Sequence, residues 1–483
     1  MIKKSSLKQN YIFNMLYQVL AIALPLITTP YIARVLNPEG VGAYQYSYSV
    51  VAVFVLIANL GTNLYAQREI AFAQENIQKR SVVFWEILFI RCAMTLLVTP
   101  FYFGVIYLKR EYFTLFSIQY LLLVATALDI SWLFQGMEDF KKIAIRNVIV
   151  KLVSVACIFG FVQSEKDVPL YTFIITFSAF VSAVVLWFYT RNAFERINIH
   201  QLHPSRHLKS VLMLFLPYAA IYVYTYVDKI VLEALSTEEQ VGFYSQSENI
   251  VKLAMTLITS LGTVMLPHVA SLIKQKNWEQ VTKQIQDSTH FVFFLGCPMM
   301  CGIIAVAPLF VPWFLGDKYA PCVHILQYLA PLILIIGMTN VTGQAVLVPL
   351  NKQGIYTTSI VLGAIFNVIC NILLIPRLQA VGAVIGTLGA ELIVGTIQQI
   401  TVFRVLHIHF MNLVMESWKC VVSATLMLVG VCGVRGIISS QFVSLVFSTV
   451  FGIVLYFVLL FILREKMVVQ YYGLFKQKIV QRS

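Results

Sequence analysis

Fourteen apolar runs, each about 20 residues or longer, follow one another along 483 residues with only short polar connections. A hydrocarbon layer about 30 Å thick needs about 20 helical residues to cross it. Lipid offers no hydrogen bonds, so a spanning segment must satisfy its own backbone, which leaves helices or a closed barrel. Runs this long and this uniformly apolar predict helices, near 11–33, 41–63, 82–108, 113–136, 143–163, 168–190 and 209–232, then 241–266, 290–315, 322–350, 355–376, 380–403, 419–438 and 442–464. The chain is 59% hydrophobic and 12% charged, against about 25% charged in an ordinary soluble domain. The expectation is an all-α polytopic membrane protein with about 14 transmembrane helices. The basic amino-terminal stretch resembles a signal peptide, but its apolar part runs past 20 residues without an A-x-A cleavage site. It reads as a retained first span.

Orientation follows from Lys and Arg in the connections. With both termini cytoplasmic, the inner segments carry 24 basic residues and the outer ones eight, and Arg91, Lys151 and Lys252 complete the 35 from within spans. The net charge of +13 therefore reads as positive-inside bias. Nucleic acid is not an expected partner; membrane lipids are. The longest inner connection, 191–208, is a basic linker.

Val41, Gly42, Tyr44 and Ser47 in span two match Val241, Gly242, Tyr244 and Ser247 in span eight at a constant offset. Leu60-Gly61-Thr62 is echoed by Leu261-Gly262-Thr263, and "QYL" recurs at 119–121 and 327–329, in spans four and ten. The matches fall in corresponding spans of two six-span blocks. An even span number keeps both blocks the same way up, which predicts two six-helix lobes related by a pseudo-two-fold along the membrane normal. The expected organisation is a lobe over 1–190, the linker 191–208, a second lobe over 209–403, and two additional helices with a basic tail over 404–483.

A charge at the bilayer centre costs at least about 2.5–3.5 kcal/mol, so it faces protein or a wet cavity. At about 1.5 Å per residue, Arg91, Lys151, Lys252 and Glu391 fall near the midplane. Asp129 falls in the inner half of span four, and Arg34, Asp228 and Glu233 lie near outer ends. Glu86 and Arg146 are shallower and are expected to snorkel toward the inner interface. Glu248 and Lys252, at i and i+4, can pair. Arg91 and Lys151 have no acid at such spacing in their own spans. The cation surplus suggests a cavity for an anionic group such as a diphosphate, held by charge-assisted hydrogen bonds. Arg91, Lys151, Lys252 and Arg34 are the candidate substrate residues; Glu248, Glu391, Asp129 and Glu86 are candidates for ion or proton coupling or for counter-ions.

Enzymatic motifs are missing. There is no G-x-x-x-x-G-K-[ST] loop, no H-E-x-x-H and no G-x-S-x-G. His200, His203 and His207 read as surface residues beside inner loops, and "HIH" at 407–409 is a poor metal site. Of eight cysteines, Cys297 and Cys301 have C-x-x-x-C spacing but no His or Cys partner at zinc-site spacing. No metal, cofactor or disulfide is expected. Tyr31, Tyr44, Tyr46, Tyr48, Tyr218, Tyr222, Tyr224 and Tyr226 suit interfacial belts, and some are candidates to line a cavity and stack on sugar rings.

The run from Ser5 to Ala71, containing "LITTPYIARVLNPEGVGAYQYSYS", and its echo from Glu233 to Leu272, containing "EEQVGFYSQSENIVKLAMTLITSLG", carry a family resemblance. The chain resembles the Wzx-type flippases of O-antigen and capsule repeat units. These form part of the polysaccharide-transporter branch of the multidrug/oligosaccharidyl-lipid/polysaccharide exporter superfamily. The resemblance implies two six-helix lobes, alternating access and a cationic central cavity. It also implies a polyprenyl-diphosphate-linked glycan as partner, carried from the inner to the outer leaflet of the bacterial cytoplasmic membrane, with polysaccharide polymerase machinery as a further partner. Two alternatives stay open. A multidrug or cation antiporter of the same superfamily would want an acidic cavity, and a peptidoglycan-precursor flippase would differ in its glycan.

Overall fold

A computed structural model describes residues 7–191, 193–195, 197–198, 200, 202–406 and 410–469. For 7–19, 21–22, 214, 216–218, 220–221, 223–224, 261, 263–264 and 410–414 it describes the backbone alone. Lys3, Lys4, Lys476, Lys478, Arg482, Arg196 and the "HIH" run lie outside the described residues, as do the side chains of Lys8, Tyr218 and Tyr224.

Among the described residues the regular structure is helical: α1 (Leu7–Asn59), α2 (Thr62–Phe72), α3 (Ile77–Leu108), α4 (Phe113–Leu128), α5 (Ser131–Gly136), α6 (Phe140–Phe161), α7 (Val168–Trp187) and α8 (Ser205–Leu235). The series continues with α9 (Glu238–Lys274), α10 (Trp278–Phe314), α11 (Cys322–Leu329), α12 (Leu332–Thr339), a π-helix (Asn340–Leu347), α13 (Gln353–Leu378), α14 (Ala380–Leu406), α15 (Phe410–Val434) and α16 (Gln441–Ile462). Twelve described helical segments are long and apolar enough to cross a membrane. One of them, Ala23–Phe72, is 50 residues long and is broken at Asn37 (φ 58°, ψ 171°). The count of 14 rests on reading that segment as two spans and adding α8. Many large apolar side chains face outward, such as Phe442, Val446, Val450 and Phe457 along α16, which is how a lipid-facing helix differs from a soluble one. The chain is a multi-pass membrane protein.

Two expected spans are not continuous helices. The segment 113–136 breaks after Leu128, where Asp129 adopts an extended backbone (φ −72°, ψ 113°). Its carboxylate accepts from Ser131 N at 3.1 Å and from the Ser131 hydroxyl. A short acid that satisfies the backbone two residues on competes with the helix ladder. The segment 322–350 breaks at Pro331, which has no N–H to continue the ladder.

The chain divides into two compact units, Met1–Gly242 and Phe243–Ser483. In the first, α1 packs against α3, α4, α6 and α8, α4 against α7, and α2 against α3 and α5. The division places α8 with the first unit, whereas the sequence repeat groups 209–403 together. In the second unit, α10 packs against α15 and α16, and α13 against α14. The α13–α14 contact is made close by small residues: a Cβ on Gly382 would stand 2.7 Å from the Leu374 carbonyl carbon.

Candidate functional site

The break at Asp129 shapes a cavity of about 420 Å³ inside the first unit. With the ladder interrupted, the Asp129 carbonyl is left to accept from Arg91 Nη1 of α3 at 2.5 Å and from the Trp132 indole at 3.1 Å. Arg91 Nη2 donates to Asn59 Oδ1 at the end of α1, 3.0 Å away. The guanidinium is only 1% exposed, and its Nε finds no acceptor among the described residues. It is thus held by an amide and a main-chain carbonyl, with the Asp129 carboxylate acting on it through space. The Asp129 carboxylate, engaged with Ser131, stands 4.0 Å from Arg146 Nη1.

Arg146, on α6, is the residue that sequence reasoning misplaced. It was expected to snorkel, yet it is buried. Its Nη1 donates to the Ser182 carbonyl at 2.7 Å, and Nε and Nη2 donate to Asn147 Oδ1 at 3.0 and 2.7 Å. A guanidinium one turn inside an apolar run can turn inward as easily as outward when carbonyls await it. The wall opposite is aromatic: Tyr48, Tyr222 and Tyr226 line the same cavity. Tyr226 packs on Tyr48 at 6.1 Å and on Tyr222 at 5.4 Å between ring centroids. These three tyrosines line the cavity together. The cavity therefore combines two guanidinium groups, one carboxylate and tyrosine faces, within the size range of small-molecule sites.

The other candidates are dispersed. Lys151, on α6, is half-buried and is not among the cavity's lining residues. Arg34 is exposed on α1. In the second unit, Glu248 and Lys252 pair at 2.7 Å across one helical turn of α9, with the lysine side chain 45% exposed. Glu391 is buried on α14.

Glu86 requires a correction. It does not snorkel; it is fully buried. Its carboxylate accepts from His203 N at 2.6 Å, from His207 Nε2 at 2.8 Å and from Arg206 Nε at 3.0 Å. His207 is likewise no surface histidine: it is 4% exposed, and its Nδ1 meets the Tyr65 hydroxyl at 2.7 Å. A buried carboxylate needs such donors. Glu86 is thus the counter-ion that pins the start of α8 to α3. Its partners lie about 120 positions away, beyond any spacing rule.

Known proteins narrow what this arrangement belongs to. The sequence profile described as "Polysaccharide biosynthesis protein" matches residues 7–273, more than half of the chain. The chain belongs to the polysaccharide biosynthesis protein family. Within reach of this family member is a candidate O-antigen transporter of Shigella dysenteriae, 26% identical over 396 residues, covering 80% of this chain and 98% of the relative. Among solved structures it is similar to the lipid II flippase MurJ in an inward closed conformation. That match has a TM-score of 0.71 at 13% identity and covers 95% of this chain and 100% of the other. An inward-facing multidrug resistance MATE family transporter of the MOP superfamily matches with a TM-score of 0.64 at 15% identity, over 81% and 95% of the two chains. At these identities the likeness establishes the transporter fold shared by the family member.

Proposed function

We propose that this protein is a flippase for polyprenyl-diphosphate-linked oligosaccharide repeat units, of the O-antigen or capsule type. It carries them from the inner to the outer leaflet of the bacterial cytoplasmic membrane by alternating access. The observation that carries the reading is Arg91: a fully buried guanidinium on a cavity wall, anchored by Asn59 and the Asp129 carbonyl. An anchored, buried guanidinium suits a phosphate oxygen, which it can meet with fixed, charge-assisted donors. Tyr48, Tyr222 and Tyr226 offer faces against which sugar rings pack. Family membership and the transporter-named relative support the same direction.

Lys252 contributes in this reading by exchanging Glu248 for the diphosphate during the cycle. Lys151 and Arg34 serve as secondary cationic contacts, and Glu391 and Asp129 as candidates for ion coupling. Both termini face the cytoplasm, in keeping with the 24-to-8 bias of basic residues. Polymerase machinery is the expected downstream partner.

A peptidoglycan-precursor flippase is the second reading, favoured by the MurJ-like fold. The two share diphosphate chemistry and differ in glycan. Deleting the gene separates them. Loss of surface polysaccharide, with lipid-linked repeat units retained on the inner leaflet and cell-wall synthesis intact, supports the proposal. Normal polysaccharide with failing wall synthesis supports the second reading. Normal polysaccharide with new drug sensitivity points to an antiporter and removes the diphosphate role.

A further inference from the structure

Three side chains that the transport reading does not use converge in the second unit. His290 lies on α10, Cys420 on α15, and Glu465 just beyond α16. All three are buried, and one potential ligand atom from each lies within 4.8 Å of the others. His290 Nε2 stands 2.6 Å from Glu465 Oε1. On the other side of the ring, Nδ1 is 3.2 Å from the buried Ser417 hydroxyl. Glu465 is oriented by the backbone: Oε1 accepts from Met467 N at 3.0 Å and Oε2 from Val468 N at 3.0 Å.

At 2.6 Å the Nε2–carboxylate contact is a hydrogen bond when Nε2 carries the proton, and two facing lone-pair donors that need a positive species between them when Nδ1 carries it. A proton would suffice for the His–Glu pair alone. The sulfur of Cys420, which also contacts the Tyr456 hydroxyl, is fully buried beside them. One nitrogen, one sulfur and one carboxylate oxygen together form the donor set that borderline-soft divalent ions prefer. The outer contacts have the form that metal sites use. With Nδ1–H donating to Ser417, the tautomer leaves Nε2 free to ligate, and the amides of Met467 and Val468 fix the carboxylate.

A cavity of about 520 Å³ is lined by residues of the same elements, among them the carboxylates of Glu279, Asp287 and Glu416 and the ammonium groups of Lys283 and Lys466. Asp287 is three positions before His290, and Glu416 is one turn before Cys420.

We propose that His290, Cys420 and Glu465 form a binding site for one zinc-type divalent ion. The ion staples α15 and the segment after α16 to α10. The three ligands leave a fourth tetrahedral position for water. The site is independent of the transport reading and would hold metal whatever the substrate.

The test uses the full chain in detergent, stripped of metal and titrated with Co²⁺ or Zn²⁺ alone. The expected result is one Co²⁺ per chain, with a thiolate-to-cobalt absorption band that Zn²⁺ displaces. Cys420→Ser should abolish the band while keeping the helical circular dichroism signal. Ser417→Ala, which touches only the far side of the ring, should weaken binding about tenfold. Should Cys420→Ser fail to fold, X-ray absorption of the zinc-loaded wild type still decides: one sulfur with nitrogen and oxygen neighbours is expected. No cobalt uptake by the folded wild type, a band that persists in Cys420→Ser, or a zinc shell with no sulfur or with two would each overturn the proposal.

Discussion

Gly42 and Gly242, matched residues of the sequence repeat, face one another where α1 meets the first turn of α9. A Cβ on Gly42 would lie 1.8 Å from the carbonyl oxygen of Glu238 and 3.0 Å from the Gly242 nitrogen; one on Gly242 would lie 2.1 Å from the Pro38 carbonyl oxygen. The obstacles are backbone atoms, which no rotamer change removes. Gly42→Ala and Gly242→Ala should each destabilise the protein by about 1–3 kcal/mol, the usual cost of overpacking. Thermal unfolding in detergent should show the loss for both. Gly104→Ala, with nothing near its Cβ, should leave the transition in place.

Asn59 anchors Arg91 without neutralising it. Asn59→Asp keeps the volume and the hydrogen bond and adds a cancelling charge. It should preserve folding while reducing transport at least tenfold. Arg91→Lys keeps the charge but loses the planar fork that reaches Asn59 and the Asp129 carbonyl together, so it should fail as well. Full activity in both variants, assayed by complementation of surface polysaccharide, would show that this guanidinium is structural only.

Glu86→Gln removes a buried negative charge from beneath Arg206 and His207. Breaking a buried pair from one side costs about 3–5 kcal/mol, chiefly because the partner is left uncompensated. Arg206 is half exposed and can turn to water, so the lower part of that range is expected. A double-mutant cycle with Arg206→Gln should return a coupling of about 1 kcal/mol or more.

Lys252 is half exposed, but its partner Glu248 is buried, with a side chain only 10% exposed, so the lysine compensates a carboxylate that water barely reaches. Lys252→Gln should therefore lower the unfolding temperature modestly, because Glu248 loses its compensating cation, and also lower transport. The swap Glu248→Lys with Lys252→Glu restores the pair but misplaces the cation. It should remain inactive; recovery of transport would reduce Lys252 to a structural partner.

Much of the architecture was legible because lipid imposes length and apolarity on every span, and these are local properties. The repeat was informative down to single contacts: Gln119 Nε2 donates to Ser47 Oγ at 3.0 Å, joining two repeat motifs within one unit. The site was less legible. Asp129 was visible as an acid inside a span, but its helix-breaking turn depends on Ser131, a pair that looks ordinary in sequence. His207 looked like loop surface because its partners, Tyr65 and Glu86, are 142 and 121 positions away. His290 and Glu465 are 175 positions apart, so no spacing rule for metal ligands could unite them with Cys420. Charge depth singled out Arg91, which the structure buries against a cavity. The same rule could not say which cations share a cavity.

The central claim is translocation of a diphosphate-linked glycan, and reconstitution tests it most directly. The purified protein would be placed in liposomes carrying a polyprenyl-diphosphate oligosaccharide, and the outer-leaflet sugar would be followed with a membrane-impermeant oxidant. The account predicts that wild-type vesicles expose nearly all of the glycan, while Asn59→Asp vesicles expose only the fraction present initially. Equal exposure in wild-type and protein-free vesicles would contradict it.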